Sequence, residues 1–86
     1  MFLYRYEMED GGGPWCTPDG YLREGDYKEN IDDGTKYAMT SIFSLFNYFK
    51  DKNIDLSKYR IVIYDIPIKD IVFLKFKNEV RFPKYY

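Results

Sequence analysis

The sequence predicts an α+β fold: an antiparallel sheet of about four strands, one helix packed on one face, and a long N-terminal loop. Three observations carry that expectation. Ile42, Leu45, Phe46 and Phe49 recur at helical spacing, runs rich in β-branched and aromatic residues stand before and after them, and a dense series of turn signals separates the first such run from the helix.

In chain order, residues 2–8 alternate after Leu3 and read as a strand, with Tyr4, Tyr6 and Met8 on one face and Arg5 and Glu7 on a solvated one. Asp10-Gly11-Gly12-Gly13-Pro14 stops it, because the glycines favour positive φ and Pro14 forces its neighbour to extend. Pro18-Asp19-Gly20, Glu24-Gly25-Asp26 and Asp32-Asp33-Gly34 keep the chain irregular to about Lys36. A loop of that length in a small domain usually serves a function. The helix is expected over residues 41–51, capped by Thr40 or Ser41 and ending near Lys50-Asp51-Lys52-Asn53. Residues 59–66 are the clearest strand, ended by Pro67. Residues 71–76 and 79–82 read as a final hairpin around Lys77-Asn78.

With 86 residues, one core is the most the chain can build, so residues 1–86 are expected to form a single domain. Ten Tyr, seven Phe and one Trp substitute for length in burying area, yet so many phenols cannot all be hidden, which places several on the surface for recognition. The chain has no His and one Cys. Cys16 therefore has neither a disulfide partner nor a base to activate it, and the usual general base near neutral pH is missing. Asp26, Asp32 and Asp33 do not follow an EF-hand spacing. No catalytic residue, metal or cofactor is assigned. The start Met-Phe-Leu-Tyr-Arg-Tyr-Glu lacks the basic and long apolar regions of a secretory signal, so a cytoplasmic location without membrane contact is expected.

Charge divides the chain. Residues 1–35 hold three basic against nine acidic residues, net −6, whereas residues 36–86 hold ten against five, net +5. Two surfaces then qualify for binding. In the first, Gly11, Gly12 and Gly13 bring backbone amides close to a phosphate, Arg5 pairs with it, and Trp15 stacks on a base. Its plainer reading, a turn with Trp15 folded as a lid on the core, is favoured, since three successive glycines match no nucleotide fingerprint and Glu7, Glu9 and Asp10 lie close by. In the second, Lys75, Lys77 and Arg81, with Glu79, share one strand face by period-2 spacing and join Arg60 in a basic sheet surface. That composition suits single-stranded nucleic acid, but an ordinary solvated face is the favoured reading. Lys84-Tyr85-Tyr86 reads as a mobile tail or partner contact, and an uncovered sheet edge would admit a homodimer.

The opening Tyr4-Arg5-Tyr6-Glu7 and Gly-Pro turn, the Ser-rich helix start, Tyr64-Asp65-Ile66-Pro67 and the closing Glu79-Val80-Arg81-Phe82 resemble small uncharacterised proteins of phages and prophages. The resemblance implies an origin in a mobile element and a non-enzymatic antagonist of bacterial host defence, anti-CRISPR-like, that binds a host defence protein in the host cytoplasm. The alternative is a sponge for a nucleotide-derived signal. A fainter similarity to ADP-ribosyltransferases falls on Arg5, Thr40-Ser41 and Glu79, with the central motif incomplete.

Overall fold

The computed structural model describes residues 1–14, 34–52, 54–75 and 78–86. Its strands are β1 (Phe2–Glu7), β2 (Thr35–Met39), β3 (Arg60–Asp65), β4 (Val72–Phe73) and β5 (Glu79–Pro83), and its α-helix is α1 (Ile42–Phe49). All pairings are antiparallel, in the order β3-β1-β2-β5-β4.

The α+β class is as the sequence predicts, but the sheet has five strands. The fifth is β2, which fills part of the stretch expected to be loop. Thr35-Lys36-Tyr37-Ala38-Met39 is short, and Lys and Ala are poor strand formers. Ala38 and Met39 are both buried although they face opposite ways, so no alternation marks the strand. The final hairpin is also shorter on its first arm than expected, with β4 reduced to two residues. Asn78 takes the left-handed conformation there, at φ 66°, and does the work a glycine would otherwise do.

β1 is an interior strand, between β3 and β2. Phe2 lies opposite Asp65 and Glu7 opposite Arg60 on one flank, and Tyr4 lies opposite Met39 on the other. Directly opposed residues share a face. Tyr4, Tyr6, Met39 and Ile61 therefore point one way, and Leu3, Arg5, Glu7, Tyr64, Ala38, Val80 and Phe82 the other.

The first face is covered by α1. Leu45 and Phe49 pack with Tyr6 and Met39, flanked by Ile54, Leu56, Tyr59 and Ile61. The Tyr6 and Phe49 rings meet edge to face at 5.3 Å. Ser41 caps the helix as expected: its Oγ accepts from the Ser44 amide at 3.1 Å. Replacing Ser41 by Ala should cost about 1 kcal/mol in a urea-unfolding experiment, with a Gly replacement costing only a few tenths. An unchanged midpoint for the Ala variant would show that the cap contributes nothing.

The second face was expected to be solvated and is not. Leu3, Ala38, Val80 and Phe82 form a second core with Ile66 and Ile71, which flank the 3-10 turn Ile68–Asp70. The C-terminal residues fold back onto this side rather than trailing away. The Lys84 amide donates to the Gly34 carbonyl at 3.0 Å, the Tyr86 ring lies 6.4 Å from Phe82, and the Tyr86 hydroxyl donates to Asp70.

Candidate functional site

Arg5 and Glu7, two residues apart on β1, project together into the second face. They are only 8% and 5% exposed, which reverses the expectation of a solvated face for both. Arg5 Nε lies 3.1 Å from Glu7 Oε2. The Tyr64 hydroxyl, from β3, donates to the same carboxylate oxygen. Lys36, from β2, donates from Nζ to the Tyr64 hydroxyl at 3.0 Å and sits 5.0 Å from the centre of its ring. One carboxylate thus holds an arginine directly and a lysine through a phenol, across three adjacent strands. Glu7, Tyr64 and Lys36 are not among the binding residues expected from the sequence. The signal available was the opposite charges two residues apart on a strand.

The chain after β1 lies against this network. Gly13 is so close to Arg5 that a Cβ there would stand 3.1 Å from Arg5 Nη2. Gly11, at φ 85°, donates its amide to the Met8 carbonyl at 2.9 Å, and the Gly12 amide donates to Asp10 Oδ1 at 2.8 Å. The structure brings Arg5 and the glycines together, as the phosphate reading required. It also uses the Gly11 and Gly12 amides internally and holds the guanidinium on Glu7. Beside the turn, Met8, Glu9, Asp10, Ser57 and Lys58 line a shallow cleft of about 550 Å³, whose two carboxylates against one ammonium repel a phosphate. Trp15 and Lys77 lie outside the described residues, as do Cys16, Asp26, Asp32 and Asp33.

The basic sheet surface is not assembled. Register sets Arg60 opposite Glu7 and Arg81 opposite Tyr37, on opposite faces of the sheet. Glu79 does share a face with Arg81, while Lys75 is exposed beyond the end of β4. The physical reason is that spacing fixes which residues of one strand face together, whereas the relation between distant strands depends on register. The same register separates Arg5 from Glu79, so the residues matching the transferase pattern do not converge. Ser41 is occupied at the helix cap.

Burial first, and then the hydrogen bond to Glu7, push the Tyr64 phenol up to about 12. A phenol raised in the folded state stabilises fully below its unfolded value of about 10, and that contribution is lost as pH rises through about 12. Lys36 is lowered by burial, opposed by the attraction of Glu7 and assisted by Arg5, so its contribution runs the other way in the alkaline range. Tyr86 is raised to about 12 by its bond to Asp70 before any burial. Stability should therefore fall between about pH 10 and pH 12, and Tyr64→Phe should make the fall shallower. Urea midpoints across this range measure it; equal slopes for the two proteins would refute the role given to Tyr64.

No family model, curated protein or solved structure matches the chain. The fold and the site define its class: a small α+β protein with an open antiparallel sheet, cores on both faces and a charge network built into one of them. No helix among the described residues is long and apolar enough to cross a membrane.

Proposed function

We propose that the chain is a non-enzymatic binding protein of phage type that antagonises a bacterial host defence protein by covering part of its surface. One observation carries the binding reading: large apolar side chains stand uncovered on the helix side. Phe43 is 74% exposed, and Phe46, three residues on along α1, is exposed beside it. Phe2 and Ile63, 59% and 58% exposed, are diagonal neighbours on the same side of β1 and β3. Clusters of exposed aromatic and aliphatic groups mark protein-recognition surfaces more often than scattered single residues do. The resemblance to phage proteins supplies the class of partner, a host defence protein met in the host cytoplasm.

The nucleotide-signal alternative is less well supported, because Arg5 is held by Glu7 and two of the turn amides are occupied. Expression of the chain in a host carrying a defence system should restore plating of a sensitive phage. Phe43→Asp/Phe46→Asp, with the fold retained by circular dichroism, should abolish the effect. Plating that stays low over a broad panel of defence systems would overturn the antagonist reading. Calorimetric heat with linear or cyclic nucleotides would move the assignment to signal capture.

A further inference from the structure

β3 ends the sheet, and its outer edge receives no hydrogen bond from any described residue. Such an edge presents a row of unpaired amides and carbonyls, and proteins usually blunt it with proline, lysine, a bulge or a very short strand. The opposite edge, β4, is protected in this way by being two residues long. β3 has none of these devices: Arg60-Ile61-Val62-Ile63-Tyr64-Asp65 is six residues of regular strand with its charges confined to the two ends. Ile63, in its middle, is among the exposed apolar residues.

We infer that β3 pairs antiparallel with β3 of a second copy of this chain, across a two-fold axis at Val62, joining both sheets into one. The geometry selects that register. A two-fold axis perpendicular to the sheet keeps like faces together, so residue numbers in opposed pairs must have the same parity. Centring on Val62 places Val62 opposite Val62, Ile61 opposite Ile63, and Arg60 opposite Tyr64. Apolar side chains then meet apolar ones on both faces, and each guanidinium meets a phenol ring, a favourable cation–π arrangement. Centring on Ile63 instead would set Asp65 against Ile61, a carboxylate against an aliphatic side chain. The partner is identified by this self-complementarity: a foreign strand would fill the same backbone groups but has no reason to match this alternation. The inference does not rest on the antagonist reading: it concerns the backbone edge of β3, and of the four exposed side chains named above it engages only Ile63.

Sedimentation equilibrium of the full chain should show a dimer, and Ile63→Lys should shift it to monomer with an unchanged circular dichroism spectrum. Register is read by oxidation in a Cys16→Ser background. Val62→Cys should give a covalent dimer, because opposed Cα atoms in an antiparallel pair lie within disulfide range, and Ile63→Cys should not, because its opposite residue is Ile61. A chain that is monomeric at every concentration would overturn the inference and leave the edge to a strand from another protein. A dimer that persists in Ile63→Lys and is not cross-linked through Val62→Cys would also overturn it, by placing the interface elsewhere.

Discussion

Replacing Glu7 by Ala should destabilise the protein by about 3–5 kcal/mol, the usual result of removing one member of a buried ion pair. The size follows from what remains. Arg5 would stay buried on the second face without the carboxylate 3.1 Å from its Nε, with a second cation, Lys36, reaching in through Tyr64. Domains have only about 5–15 kcal/mol of stability in total, and an 86-residue chain belongs near the lower end, so a large part of the population would be unfolded at ordinary temperature. Urea unfolding followed by tyrosine fluorescence and far-UV circular dichroism measures the loss. Glu7→Gln should fall between the two, since it can still accept from Tyr64. The pair Arg5→Met/Glu7→Leu should recover most of the loss, because apolar replacement of both partners removes the isolated charge. A Glu7→Ala variant within about 1 kcal/mol of the parent would mean that water reaches the pair.

Phe82→Ala should cost a similar amount, about 3–5 kcal/mol, through loss of contacts and the cavity left behind. Phe82 is fully buried and packs with Leu3, Ala38, Ile66, Ile71 and Val80. In a chain of this size, that cost corresponds to a fall in Tm of roughly 20 °C, which calorimetry would read directly. Phe82→Leu, which keeps most of the volume, should cost about 1.5 kcal/mol or less. Phe82 also supports the polar network, because its ring lies 5.0 Å from that of Tyr64, the donor to Glu7. The two losses should therefore not add: a Glu7→Ala/Phe82→Ala chain should deviate from the sum by about 0.5 kcal/mol or more. Strict additivity would show that the apolar and charged halves of this face are independent.

Much of the fold was legible in the sequence because the strongest patterns are local. The apolar stripe Ile42, Leu45, Phe46, Phe49 gave the helix, and Ser41 its cap; Phe46 nevertheless remains exposed, because an eight-residue helix covers only part of the sheet. β3 was plain from its β-branched residues. β2 was not, since burial on both faces erases alternation. The buried pair on β1 was hidden for a related reason. Period-2 spacing correctly set Arg5 and Glu7 on one side, but nothing local says that this side is covered as well. That follows only once Val80, Phe82, Ile66 and Ile71 are counted as too many apolar groups for one short helix to shelter. The proposed basic surface failed because it joined residues from distant strands, for which no register was known.

The strand order also governs how the chain comes together in time. β1 precedes the other strands in sequence, yet its neighbours are β2, separated from it by residues 8–34, and β3, which ends at Asp65. Only β4 and β5 pair across a short span. During synthesis one edge of β1 can pair once β2 has emerged, but the edge that takes β3 must wait unpaired until residues 60–65 have been made. Loop closure on that scale has to be completed before the contacts that reward it, so the β1–β3 pairing should be the late step of folding.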